Sequence, residues 1–509
     1  MSSPVRSVLR LNAADNVVVA VTALPAATVI ESEHFVCLGD IPQFHKVATR
    51  MIGKGETIIK YGEIIGVATA EIRAGEHVHT HNMGMHHYDR SYSIGTASRP
   101  TDFVAEEKRA TFAGIVRPDG RVGTRNFIGV MAASHCSSGV SKFIAEACGK
   151  EMLADYPNVD GVVPIIHHSG CGLADHGDGI DYLRRTLVGW ANHPNFYGVV
   201  LVGHGCEINQ IDDLVPMMRI SPHLNLYAMN VQSSGGTRKT VQRGVDAIKE
   251  MLVDADRVRR QQVSAANLIV GLECGGSDAL SGITANPALG YASDLVVRHG
   301  GTSILSETSE IYGAEQLLMQ RAASKEVAEK LIERLHWWEA FTKRHGIELN
   351  NNPSPGNKAG GLTTILEKSM GAVAKSGSTT LTGVYNFAEP VTARGQVFMD
   401  TPGYDMVSVT GMVAGGANMI CFTTGRGSVF GSKPVPTIKL ATNSGMYHEM
   451  EEDMDVNCGE IVDGKATVEE VGTRVFNLLL DIASGTKSKS ELLGFGDVEF
   501  APWMLGATL

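Results

Sequence analysis

Hydrophobic positions change period along the chain. Between residues 7 and about 82, short β-branched runs ("NVVVAV", "ETIIKYG", "EIIGVATAEI") alternate with turn signals, and no useful helical period interrupts them. The pattern predicts a small all-β domain over residues 1–88. Within it, "KGETI" at 54–58 and "AGEHV" at 74–78 are similar entries from a turn into a strand, and they read as two hairpin corners. The following stretch, "YDRSYSIGTASRPTDFVAEEKRA", is polar and aperiodic, which predicts a surface linker over residues 89–112.

Further on, buried-type runs alternate with helical segments: "NFIGVMAAS", "GVVPIIHH", "YGVVLVGHG", "LNLYAMN" and "NLIVGLE". Such alternation predicts an α/β catalytic domain with a mostly parallel sheet over 113–350. Apolar residues at 327, 328, 331, 332, 335 and 338 form a helical stripe that predicts a core-facing helix. "QVFMD", "NMICFTTG" and "PTIKLAT" supply the strands of a C-terminal α/β domain over 351–509. The chain is therefore multi-domain, a small all-β module followed by a mostly parallel α/β region.

Composition narrows the function. With 43% hydrophobic and 19% charged residues, the 509-residue chain is an ordinary globular protein, and its net charge of −11 comes without a basic stripe. Nucleic acid and anionic membranes are thereby disfavoured as partners, and an anionic substrate would need local cations. No apolar run approaches about 18 residues, and "MSSPVRSVLRLNAADN" lacks a signal-peptide core, so the cytoplasm is the expected compartment. There the eight cysteines are expected as buried thiols, catalytic groups or metal ligands, not as a disulfide framework.

Four cysteines fall at the carboxyl ends of expected strands: Cys136, Cys171, Cys206 and Cys274. Strand ends of this kind form the crevice where open α/β sheets bind ligands, so the thiols could converge, with His167, His204 and Glu207 beside them, on iron or zinc. Chance burial is the competing reading for any single one. Three loops join glycines to hydroxyls, "CGGSDALSG", "NPSPGNKAGGLTT" and "TTGRGSVFG", and the last two add Lys358 and Arg426. In "RPDGRVGTRNF", Arg121 and Arg125 offer further cations for a carboxylate. Neither GxxxxGK[ST] nor GxGxxG is present.

The stretch "HVHTHNMGMHH" puts five histidines in eleven positions. His77 and His81 would lie about 13 Å apart along an extended strand. Geometry therefore rules against a three-histidine metal site there, and at most two neighbours of the stretch could share an ion. His79 and His81 are read instead as residues reaching toward the α/β site, and His86 and His87 as linker surface.

Seven ordered motifs, "RPDGRVGTRNF", "HHSGCG", "GHGCE", "ECGGSDALSGITANPALG", "NPSPGNKAGGLTT", "FTTGRGSVFG" and "NCGEI", resemble the altronate/galactarate dehydratase family. The first domain resembles that family's N-terminal SAF module of β-clip type, through "FHKVATRMIGKGETIIKYGEIIGVAT" and "HVHTHN". One departure is Phe44 in "QFHKVA", where the family usually has glycine. The resemblance implies a hydro-lyase that converts a six-carbon sugar acid to a 2-keto-3-deoxy acid with a divalent metal, usually iron. Relatives of this architecture include a sulfolactate sulfo-lyase.

Dehydration has to abstract the proton α to a carboxylate and expel the C3 hydroxyl, which calls for a carboxylate clamp, an electrophile, a base and an acid. The expected substrate-binding residues are Arg125, Asn126, Ser277, Asp278, Asn357, Lys358 and Arg426. The expected metal ligands are His167, Cys171, Cys206, Glu207 and Cys274, holding Fe2+ or Mn2+, with an Fe–S cluster as the alternative. Acid and base are expected among His45, Lys46, Lys60, His79 and His81, with Glu307, Glu310 and Glu315 as alternatives. D-Altronate is favoured slightly over galactarate. A homo-oligomer, and a sugar-acid-binding protein without catalysis, also stay open.

Overall fold

A computed structural model describes residues 7–86, 92–219, 221 and 224–506. The β-branched runs form the two larger of three small antiparallel sheets in the module, the third being the pair Val29–Ile30 and Phe35–Val36. Val8–Leu9, Val17–Ala20, Lys46–Ala48 and His77–Val78 make one, and Thr57–Lys60, Glu63–Ala68 and Met83–Gly84 the other. Val17, Ala48, Ile52, Ile58, Ile65, Ile72 and Val78 close their shared core. The two matching corners turn at Gly55 and Gly75, whose φ angles of 84° and 81° suit glycine.

The expected linker is less bare than its sequence suggests. Tyr92 and Ile94 pack against an apolar cluster of the α/β region, and the backbone N–H groups of Gly95 and Ala97 donate to Met319 and Gln320. The strand Thr111–Val116 begins inside the stretch read as linker. Polarity hid the two anchoring side chains.

Downstream lie two parallel sheets. The smaller has the order Gly161–Ile165, Phe127–Ala132, Phe196–Gly203, Asn225–Asn230. Helices His135–Ala147 and Thr237–Ala255 cover one face, and Asp178–Ala191 covers the other. The larger sheet has the order Leu381–Tyr385, Gly395–Met399, Thr302–Leu305, Ile269–Cys274, Met419–Thr424, Thr437–Ala441, Val456–Asn457. It crosses residue 350, so the expected division there cuts through one hydrogen-bonded sheet. The expected helical stripe lies on Lys325–Arg344, with Ala328, Leu331, Leu335 and Trp338 buried. One apolar cluster, including Trp190, Leu201, Met412 and Phe422, joins the two sheets. Among the described residues no helix is long and apolar enough to cross a membrane.

Candidate active site

The strand Ile269–Cys274 lies between Thr302–Leu305 and Met419–Thr424, so the chain leaves it first toward one edge of the sheet and later toward the other. The divergence opens a crevice at its carboxyl end. Glu273 and Cys274 end this strand. Glu307 and Glu310 come from the turn after Thr302–Leu305, and Asp405 opens the helix Asp405–Ala414. Lys368 lies on the helix Ile365–Val373 and Lys375 in the turn after it. The Cys274 thiol is 3.6 Å from Glu307 and 3.7 Å from Glu310. Lys375 Nζ donates to Glu307 at 3.0 Å, and Lys368 Nζ to Glu310 at 2.7 Å.

One oxygen from each of Glu273, Glu307 and Asp405 lies within 4.8 Å of the others, as do single ligand atoms of Cys274, Glu307 and Glu310. Both Glu273 oxygens and Glu307 Oε1 are buried without a hydrogen-bond partner. Burial and the neighbouring Glu307 push the Glu273 carboxyl well above the usual range. Burial, Glu307 and Glu310 push Asp405 up to about 7. Burial opposes ionisation of Glu307 too, yet Lys375 and Lys368 hold it below the usual range. Orphaned oxygens and a thiol around one point fit a divalent cation.

The β module docks beside this edge. Lys46 and Lys60 reach Glu367 at 2.8 and 2.9 Å, and Lys46 also donates to the Gly361 carbonyl at 2.7 Å. His45 Nε2 donates to the Ala359 carbonyl at 3.2 Å. Phe44, just before it, has φ 69°, the left-handed backbone that glycine adopts freely and a phenylalanine does not. A glycine at this place in the resembling family is thus explained by the turn itself. Gly360 passes so close to Asp278 and Arg426 that a side chain there would touch both.

The expected residues divide into those this crevice gathers and those it does not. His45, Lys46, Lys60, Ser277, Asp278, Asn357, Lys358, Arg426 and Cys274 all belong to the module and loops around it. Several of them shape it and leave little to bind with. Asp278 accepts from Leu280, Ser281, Thr442 and Asn443, and Asn357 donates to the Ser277 carbonyl while capping its own helix. Lys358 and Arg426 carry no ion-pair partner among the described residues. His79 belongs to a histidine cluster on the module, and His81 stands exposed at its edge, its ring 5.2 Å from that of His77. His87 lies outside the described residues.

Arg125 and Asn126 are framework groups. Arg125 is buried, grips Glu491 with two nitrogens at 2.6 and 2.8 Å, and donates to the carbonyls of Thr124, Ile482 and Thr486. Asn126 donates to Asn158 and Ala255 and accepts from Arg117. The metal set divides in the same way. Cys136, Cys171 and Cys206 lie beside one another, exposed at the carboxyl edge of the smaller sheet, whereas Cys274 is buried at that of the larger one, so three of the four thiols converge and Cys274 does not join them. His167 donates through Nε2 to the Ala132 carbonyl and accepts at Nδ1 from Ser169 N–H, which uses both nitrogens. Both Glu207 oxygens accept backbone N–H groups of the loop that carries Cys206.

Sequence reasoning passed over Glu273, Asp405, Glu367, Lys368, Lys375 and His77 as site residues. Glu273 and Asp405 had a usable signal, an ionisable residue at the end of an otherwise apolar strand and at the start of the helix that follows one. The two lysines sit within buried helical sequence and had none.

Family models match three consecutive stretches of the chain. The altronate/galactarate dehydratase SAF domain matches residues 6–86, the D-galactarate dehydratase/altronate hydrolase second domain 114–256, and the D-galactarate/altronate dehydratase C-terminal domain 265–508. The chain is 34% identical to an altronate dehydratase of Bacillus subtilis, over 92% of this chain and 93% of that one. It is 35% identical to a galactarate dehydratase (L-threo-forming) of Escherichia coli, over 88% and 87%, and 32% identical to an altronate dehydratase of the same organism, over 98% and 99%. With a SAF module set against an α/β crevice lined by carboxylates and lysines, the chain belongs to the altronate/galactarate dehydratase family of sugar-acid hydro-lyases.

Proposed function

We propose that the substrate is a six-carbon aldonate, D-altronate before galactarate, dehydrated to a 2-keto-3-deoxy acid. The carrying observation is Glu273, a buried carboxyl with both oxygens unpartnered beside Glu307 and Asp405 at the carboxyl edge of the larger sheet. A buried carboxyl to which no donor is directed, held protonated beside Glu307, suits proton transfer or ligation. Lys358 and Arg426 clamp the substrate carboxylate. Lys368 and Lys375 each have their own carboxylate and Lys46 and Lys60 share that of Glu367, so among the described residues of these loops Lys358 and Arg426 are the cations without an ion-pair partner, and one such pair favours one acid group over two.

Asp405, held near neutrality, takes the proton from C2, and Glu273, which keeps its own proton, delivers it to the departing C3 hydroxyl. Lys375 and Lys368 hold Glu307 and Glu310 in place beside them. A divalent metal, Fe2+ in our reading, fits either the carboxylate–thiol set or the module's imidazoles, and when bound would supply Lewis acidity toward the enediolate charge. The test is keto-acid formation from D-altronate and from galactarate with added Fe2+. Altronate should have the higher kcat/KM. A higher value for galactarate would reverse the substrate, and no keto acid from either would overturn the proposal.

A further inference from the structure

The β module carries a second set of groups arranged as a metal site. Lys46 pairs with Val78 and Val47 with His77 in an antiparallel ladder, so one step further His45 lies across from His79. Residues opposite each other in such a ladder have Cβ atoms only about 5 Å apart. The third imidazole therefore comes from a neighbouring strand, and the argument against three histidines drawn from the spacing along one strand does not apply. One nitrogen each of His45, His77 and His79 lies within 4.8 Å of the others.

Three observations point to a ligand there. His45 Nε2 donates to the Ala359 carbonyl, which leaves Nδ1 of the neutral ring as an acceptor, and that nitrogen accepts from His77 Nε2 at 2.9 Å, so an ion taking the place of the shared proton would meet both rings. A carbonyl on the far nitrogen is the partner that fixes a metal-binding imidazole in its tautomer. His79 Nδ1 is buried and has no hydrogen-bond partner. The scaffold is rigid, since Asn82 accepts from His79 N–H and donates to the His77 carbonyl. The nearby Lys46 ammonium is already paired with Glu367.

We infer that His45, His77 and His79 form a three-nitrogen centre for a divalent transition ion of the Fe2+, Co2+ or Zn2+ type, with a coordination position left open. Imidazole suits such ions better than Mg2+ or Ca2+, and three protein ligands are the usual number where one position stays free. The inference deepens the proposed reaction by locating its metal, and it can fail separately from it.

The probe is Co2+ alone, added to the full-length chain after treatment with chelator and followed by its visible absorption. One equivalent should bind with the spectrum of a nitrogen-rich site. His77→Ala and His79→Ala should each weaken binding by at least tenfold, while Glu273→Gln, Cys274→Ser and His81→Ala leave it unchanged. If an alanine variant does not fold, His77→Gln and His79→Gln are read instead. Binding retained in the histidine variants but lost in Glu273→Gln or Cys274→Ser would overturn the assignment, as would no binding at all. Co2+ bound as expected without turnover of altronate would count against the substrate and leave this centre standing.

Discussion

Lys46 of the β module places its ammonium 2.8 Å from the Glu367 carboxylate of the α/β region, with both side chains fully buried. Lys60 approaches the same carboxylate at 2.9 Å. Two ammonium groups on one carboxylate overcome its burial and hold Glu367 well below the usual carboxylate range, whereas burial pushes Lys46 down to about 8. The pair fastens the histidine-bearing module to the helix Ile365–Val373, which also carries Lys368 of the crevice.

Glu367→Gln leaves two buried ammonium groups without a counter-charge, and breaking a buried pair in this way costs about 3–5 kcal/mol. Thermal unfolding should show that loss, and amide exchange should rise in Lys46–Ala48 and Thr57–Lys60 before the rest of the chain. The carboxyl is depressed in the folded state, so its stabilisation is present above the unfolded value of 4.5 and drains away as pH falls below it. A Glu367→Gln chain that melts with the parent would show that the module is held by other contacts.

The two arginine-bearing loops separate framework from binding. Arg125 is buried with its donors taken by Glu491 and three carbonyls, so Arg125→Leu should cost about 3–5 kcal/mol while the folded fraction keeps its KM. Lys358 and Arg426 should behave in the opposite way. Removing either loses a charge-assisted bond to substrate, on the order of 1.5–3 kcal/mol, hence a KM raised roughly tenfold or more, with unfolding shifted by no more than about 0.5 kcal/mol. An unchanged KM in both variants would move the carboxylate clamp elsewhere.

Period and strand ends made most of the architecture legible. The runs expected as parallel strands are the strands Phe127–Ala132, Phe196–Gly203, Ile269–Cys274 and Met419–Thr424, and the glycine-bearing loops do cluster at one crevice. Sheet membership was not legible. Cys206 and Cys274 both follow apolar strands, and nothing local tells which of two sheets a strand joins, because hydrogen bonding between strands depends on distant partners. The same blindness concealed His45 opposite His79, a cross-strand relation that spacing along one strand cannot show. Arg125 misled for a different reason, since a glycine-flanked cation looks the same in sequence whether it meets a substrate or Glu491.

His167 supplies a pH test that no metal enters. Both its nitrogens are engaged as a neutral ring, and burial lowers its proton affinity to about 4, against 6.5 for a free imidazole. Between those values the unfolded chain takes up a proton that the folded chain refuses, so stability is complete above pH 6.5 and falls as pH drops toward 4. The difference corresponds to roughly 3 kcal/mol. Glutamine can reproduce the donor to Ala132 and the acceptor for Ser169 without titrating. Urea unfolding of His167→Gln should therefore lose much less stability between pH 6.5 and 4 than the parent does, and parallel profiles would refute this account.

The sharpest test of the crevice uses opposite signs. A neutral Glu273 carboxyl in the fold has a raised proton affinity, so its contribution is intact below the unfolded value of 4.5 and is lost as pH rises above it. Near neutrality the chain thus bears the cost of keeping this group protonated next to Glu307 and Asp405. Glu273→Gln removes that cost while keeping the shape. In chelator-treated protein at pH 7 it should unfold later than the parent by about 1–3 kcal/mol, an advantage that disappears near pH 4.5. Turnover should move the other way and fall by at least about a hundredfold, the usual scale for a lost proton-transfer group. Stability gained at the expense of activity marks a residue kept for chemistry. Full turnover in Glu273→Gln would exclude it from the reaction, and a less stable variant would mean that its two unpartnered oxygens are satisfied in solution by something the fold needs.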